Sequence, residues 1–152
     1  MANPFLADAE PLIPIAARGR YSACRVSGEL LLISGLGPLR ADGSFWAGKV
    51  GRAVTVETAY QHARLVARHV VALLRETAYE KRVEALRVFG MVNADPDFGE
   101  HTAVIDGFSD HLVETFGERG HHARSAVGMA SLPHGMTVEI EAQFRLIAPH
   151  QG

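Results

Sequence analysis

Cysteine is nearly absent from this chain. Cys24 is the only one among 152 residues, so no intrachain disulfide framework exists, and the thiol content fits a reducing compartment. No charge of one sign dominates: 15 Lys and Arg face 17 Asp and Glu, for a formal net charge of -2. That balance is far from the positive excess of a dedicated nucleic-acid binder, and nucleic acid is not expected as a partner. Long hydrophobic runs are missing too. The longest, around Leu30 to Gly37, is strand-sized and falls well short of the roughly 18 to 20 apolar residues of a membrane span.

Other absences narrow the chemistry. None of the eight histidines falls in an H-x-x-x-H pair with a helical acid or beside cysteines at zinc spacing, so no metal is expected. His62 and His69 stand two helical turns apart, and adjacent His121 and His122 point apart if extended. Gly35-Leu36-Gly37 has no third glycine and following helix, which removes a dinucleotide fingerprint. No cofactor is expected. Cys24 has no nearby cue of activation and reads as a small strand hydrophobe. The first residues, Met1 to Pro11, carry no basic segment leading into an apolar run, the layout of a secretory signal. Residues 1–14 read as a tether, and the cytoplasm is the expected location.

Hydrophobic residues make up 47% of the sequence, enough for one domain, 1–152, with its core over about 15–147. Tyr21 to Val26 and Glu29 to Ser34 are short strand-like runs separated by Ser27-Gly28, the spacing of a two-residue hairpin. Residues 35–51 hold five glycines and the turn Ala41-Asp42-Gly43-Ser44, and read as a long loop. From Thr55, a candidate N-cap, Ala59, Ala63, Val66, Val70, Leu73 and Leu74 recur at helical steps. Val83 to Val92 is rich in β-formers and ends in the turn cluster Asn93-Ala94-Asp95-Pro96-Asp97. His101 to Phe116 reads as a second helix stopped by Gly117. Two more strands, Ser125 to Ser131 and Thr137 to Ile147, complete the order ββαβαββ.

The chemistry-bearing stretch is Ala123-Arg124-Ser125-Ala126-Val127-Gly128, followed by Leu132-Pro133-His134-Gly135 and Val138-Glu139-Ile140-Glu141-Ala142. The planar fork of Arg124 suits a carboxylate held by two parallel hydrogen bonds; the alternative is a strand-end arginine in water or in an ion pair. Strand alternation sends Glu139 and Glu141 to one face, where Glu139 is either a general acid/base or a solvated strand glutamate. The layout places this cation and this carboxylate within reach of each other. Gly35 ends a strand where a backbone without Cβ lets a ligand approach, or is a turn glycine. Tyr21 is an aromatic pocket wall or a half-buried strand residue.

Tyr21-Ser22, Ser34-Gly35, Val88-Phe89-Gly90-Met91-Val92-Asn93, Ala123-Arg124-Ser125-Ala126-Val127, Leu132-Pro133 and Val138-Glu139-Ile140-Glu141-Ala142 together resemble the Rid/YjgF family, also called endoribonuclease L-PSP or reactive intermediate deaminases. The resemblance runs from about Ile15 to Ile147. It implies an α+β, chorismate-mutase-like fold with two helices on one face of a mixed sheet, assembled as a homotrimer with three sites between subunits. It further implies hydrolysis of enamine or imine intermediates such as 2-aminoacrylate to 2-oxo acids and ammonia. Arg124 then grips the substrate carboxylate, Glu139 binds or activates water, and Tyr21, Ser34, Gly35, Phe89, Asp106 and Ala126 line the pocket.

Deamination of this kind needs no thiol, which suits Ala126 where many members carry cysteine. Two positions depart from the pattern. Gly128 stands where well-studied members have an acid, which removes a proton carrier, and Asp106 stands where they have asparagine, which adds a negative charge. The departures leave open a trimer that binds or senses small carboxylates without turnover. The family's older name brings a third alternative, an endoribonuclease or translation inhibitor.

Overall fold

β1 (Cys24–Ser27) and β2 (Leu30–Leu36) form an antiparallel hairpin in which Ser27 faces Leu30. The turn residues are therefore Gly28 and Glu29, one place later than the sequence spacing suggests. Gly28 has a φ of 60°, and a tight hairpin needs positive φ at its first central position, so the turn settles where that glycine leads. β1 also begins later than expected, leaving Tyr21 outside the strand and 54% exposed. These observations come from a computed structural model that describes residues 11–77, 79 and 82–148; most of the expected tether lies outside the described residues.

α1 (Val56–Glu76) starts at Thr55, whose Oγ1 accepts from the backbone N–H of Thr58 at 3.2 Å. Ala59, Ala63, Val66, Val70 and Leu74 are buried on one stripe, as the periodicity predicts. The buried face is wider than that stripe and takes in His62 and His69. His62 stacks on Trp46 and meets Thr137 Oγ1 at 3.0 Å. β3 (Val83–Asn93), α2 (His101–Phe116), β4 (Ala123–Met129) and β5 (Val138–Leu146) follow, giving the order ββαβαββ.

The five strands form one sheet in the order β1-β2-β5-β3-β4. β3 and β4 run parallel because α2 carries the chain back between them, whereas the remaining pairs are antiparallel, so the sheet is mixed. Alternation in β5 decides which face is covered. Val138, Ile140, Ala142 and Phe144 are buried with Phe108 and Leu112 of α2 and Val66 and Val70 of α1. Glu139 is half-buried, and Glu141, Gln143 and Arg145 are exposed on the opposite face. Both helices thus lie on one side, and the other side of the sheet is uncovered by any described element.

α2 lies unusually close to α1. A Cβ on Gly107 would stand 2.0 Å from the carbonyl oxygen of Tyr60, so only glycine permits this crossing. Around the contact, Tyr60 Oη donates to Asp110 at 2.7 Å and Arg64 pairs with Glu114 at 2.6 Å. Among the described residues, no helix is long and apolar enough to cross a membrane.

Candidate functional site

On the open face, the pairing of β2 with β5 shifts register between Ile33 and Leu36. This irregularity sets Gly35 directly on Glu139: a Cβ on Gly35 would stand 2.8 Å from Glu139 Oε1. Glycine here lets the carboxylate lie against the strand backbone. Burial raises the proton affinity of the Glu139 carboxyl, and the like charge of Glu141 on the same face adds to the effect. The carboxyl opens into a cleft of about 240 Å³ lined by Arg18, Tyr21, Gly35, Phe45, His134 and Glu139.

Local structure explains this lining. The Asp42-Gly43-Ser44 turn is closed by Asp42 Oδ1, which accepts from Ser44 N at 2.9 Å, and it brings Phe45 back to pair with Leu39. Phe45 stacks on His134 with ring centroids 5.3 Å apart. The Arg18 guanidinium lies 4.6 Å above the Phe45 ring and donates to Gly43 O at 2.7 Å, a cation–π arrangement that fixes a positive charge at the rim. Ser34 lies beside this cleft. Its hydroxyl donates to Ser22 O at 2.6 Å, and it lines a neighbouring cleft of about 550 Å³ that Tyr21 also borders.

Arg124 belongs to a different surface. It pairs with Val88 across the β3–β4 ladder, and Val88 is fully buried under the helices, so the arginine points to the helix side of edge strand β4. There its Nη1 donates to Asp106 Oδ1 at 2.8 Å and to Ser109 Oγ at 3.0 Å. Its Nη2 reaches Thr102 O at 3.4 Å, longer than an ordinary hydrogen bond, which makes it the least firmly held donor. The Arg124 side chain is 19% exposed and that of Asp106 51%.

Ala126 and Gly128 follow Arg124 on the same side of β4. A Cβ on Gly128 would stand 2.6 Å from His101 Nε2, so the imidazole occupies the space where a side chain at 128 would begin. His101 also lines a third cleft, of about 640 Å³, with Lys49, Asp95, Phe98 and Gly128. Phe89 is half-buried on the open face of β3, between Ser125 and Glu141.

The fold therefore gathers the expected residues into two groups. Tyr21, Gly35 and Glu139 share one cleft with Ser34 at its flank, whereas Arg124 and Asp106 share an ion pair on the α2–β4 seam near Ala126. The expectation that Arg124 and Glu139 lie within reach of each other is not met inside one chain. Their strands are separated by β3, and side-chain alternation sends them to opposite faces of the sheet. Reading the sequence missed Arg18, Phe45, His134 and Ser109. Of these, Ser109 had a usable signal, since it lies three residues beyond Asp106 on one helix face.

A mixed five-stranded sheet with two helices on one face, in the order ββαβαββ, is a chorismate-mutase-like α+β fold. Residues 6–138 match the family described as "YjgF/chorismate mutase-like, putative endoribonuclease", and the chain belongs to this Rid/YjgF family. Protein TCP17 of Trypanosoma cruzi is 41% identical over 131 residues, covering 83% of this chain and 81% of that protein. The crystal structure of Atu1372 from Agrobacterium tumefaciens, described as of unknown function, is similar with a TM-score of 0.80 and 35% identity over 87% of each chain. A "putative endoribonuclease" from Shewanella oneidensis is similar with a TM-score of 0.84 and 29% identity, over 92% of this chain and 94% of that one.

Proposed function

We propose that the chain is a homotrimeric hydrolase of small 2-imino and 2-enamino carboxylates, with each site assembled between two copies. The α2–β4 seam of one copy supplies Arg124; the Tyr21–Gly35–Glu139 cleft of the next supplies the acid/base. Arg124 receives the substrate carboxylate, and its loosely held Nη2 is the donor open to it. The imine carbon is electrophilic already, so orientation and proton transfer are the work required. Glu139 protonates the enamine carbon to give the iminium, the protonated form of the imine. It then takes a proton from water as the oxygen adds to that carbon, and proton transfer to nitrogen lets ammonia leave as the carbonyl forms. One imine and one water give one 2-oxo acid and one ammonia.

The observation that carries this reading is the placement of Glu139, a carboxyl with raised proton affinity opening into a small cleft on the uncovered sheet face. A group in that state is a stronger base than a solvated glutamate and keeps its proton to higher pH. The test is ammonia release from freshly generated 2-iminopropionate. Arg124→Ala and Glu139→Gln are each expected to lose about 100-fold or more, and mixed trimers of the two variants regain part of the activity, because some interfaces then carry both native residues. Wild-type rates in either variant, or no recovery on mixing, overturn the proposal.

A second reading, binding without turnover, is favoured by one observation: no side chain at Gly128 provides an acid. Stabilisation by 2-oxobutyrate with no ammonia release selects it, since a ligand of the native state raises the melting temperature.

A further inference from the structure

We infer that Ser109 and His122 are positioning residues for Arg124: a relay of hydrogen bonds runs from the guanidinium through the serine to the histidine and holds the anchor only while His122 is neutral. The inference rests on the reading of Arg124 as a carboxylate anchor.

The contacts fix every donor and acceptor in turn. His122 Nδ1 lies 2.7 Å from Gly120 O, and a carbonyl can only accept, so Nδ1 carries a proton. In the neutral ring Nε2 is then the acceptor. Ser109 Oγ stands 2.9 Å from Nε2, so the serine spends its only proton there. Its lone pairs are left for Arg124 Nη1, at 3.0 Å. The guanidinium donates to the hydroxyl, the hydroxyl to the imidazole and the imidazole to the backbone, and bonds aligned in this way strengthen one another.

A charged His122 breaks the order. Nε2 then carries a proton aimed at Ser109 Oγ, so the hydroxyl cannot donate to it, and two cationic donors converge on one oxygen. The surroundings favour the neutral ring: burial lowers its proton affinity, and the charges of Arg124 on β4 and of neighbouring His121 do the same, while the bond to Gly120 O works the other way. Asp106, on the facing helix α2, is paired with the Arg124 guanidinium.

The relay also answers a problem that Asp106 creates. Both acceptors of Nη1 lie on α2, three residues apart, but they differ in kind. The Asp106 carboxylate competes with any anion that approaches Arg124, whereas the neutral Ser109 hydroxyl does not. Ser109 can keep the guanidinium in place while a ligand draws its charge away from Asp106.

Calorimetric titration with 2-oxobutyrate across pH 5 to 8 tests this, using wild type, Ser109→Ala, Ser109→Thr, His122→Gln and Arg124→Ala. Ser109→Ala is expected to weaken binding about three- to tenfold at neutral pH, with Ser109→Thr restoring it through the retained hydroxyl. Wild-type affinity falls as His122 gains its proton, and His122→Gln lacks that fall. The other acids near the site are common to both proteins, so the difference between the two profiles isolates His122. Wild-type affinity and pH profile in both Ser109→Ala and His122→Gln, with binding lost in Arg124→Ala, overturn the relay and leave the anchor standing. Undiminished binding in Arg124→Ala, or none in wild type, overturns the anchor and the relay with it.

Discussion

Asp106→Asn is the substitution that most directly probes the Arg124 seam. Asp106 accepts from Arg124 Nη1 at 2.8 Å and is about half exposed, so the pair is worth about 0.5 to 1 kcal/mol. Asparagine keeps a neutral oxygen for Nη1 and removes the negative charge. A carboxylate ligand on the guanidinium then no longer competes with the ion pair, and it loses a like charge standing about 5 to 6 Å away, which costs it roughly 1 kcal/mol at a wet surface. The two effects together come to about 1.5 to 2 kcal/mol, or tighter binding by roughly 10- to 30-fold. Titration of 2-oxobutyrate into both proteins at low and high salt reads this out. The gain should shrink as salt screens the removed charge. Equal or weaker binding by the asparagine variant would refute the reasoning, because it would mean that Asp106 serves to orient Arg124 and does not contend with its ligand.

Two further outcomes follow from the geometry. The carboxyl of Glu139 has its proton affinity raised by burial and by Glu141, so the folded state binds that proton more tightly than the unfolded chain, whose ordinary value is 4.5. Its contribution to stability is full below that value and is lost as pH rises through the higher folded one. Glu139→Gln should therefore melt higher than wild type at pH 7, with the gap closing below pH 4.5; a lower melting point at pH 7 contradicts the placement. Gly107→Ala puts a methyl 2.0 Å from Tyr60 O, and the helices must part to admit it. The loss should reach about 3 kcal/mol or more in denaturant titration despite alanine's better helix propensity, and a neutral result would mean that the α1–α2 crossing is looser than described.

Much of the fold was legible because its signals are local. The alternation of Val138 to Phe144, the helical spacing of Ala59 to Leu74 and the stop at Gly117 each declare an element without reference to the rest of the chain. Errors fell where long-range geometry decides. The β1–β2 turn moved by one residue because Gly28, not Ser27, takes the positive φ. In sequence, His62 and His69 carry only their two-turn spacing, yet the helix is sandwiched between the sheet, α2 and the loop bearing Trp46 and Leu39, so they are buried. The candidate site shows the same division. Residue types around Arg124 and Glu139 could be read in one dimension, but the face each takes depends on ladder register, and register is a property of paired strands. Arg18, Phe45 and His134 meet only because a loop turn and a left-handed residue, His134 with a φ of 56°, fold two distant segments together.

The same register argument constrains assembly. β4 and β5 lie on either side of β3, so Arg124 and Glu139 are separated by roughly 10 Å across the strands and by the sheet itself. A three-carbon acid cannot bridge a hydrogen-bonded backbone, so a site that uses both residues must take them from different copies. The two patches are unlike: a helix-covered edge on one side, an open-face cleft on the other. Unlike patches can meet head to tail, in a ring or a filament, or reciprocally across a two-fold axis, where each copy gives its seam to the other's cleft. Under the proposed homotrimer, each Arg124 seam meets the Glu139 cleft of the next copy, and neither is left unfilled.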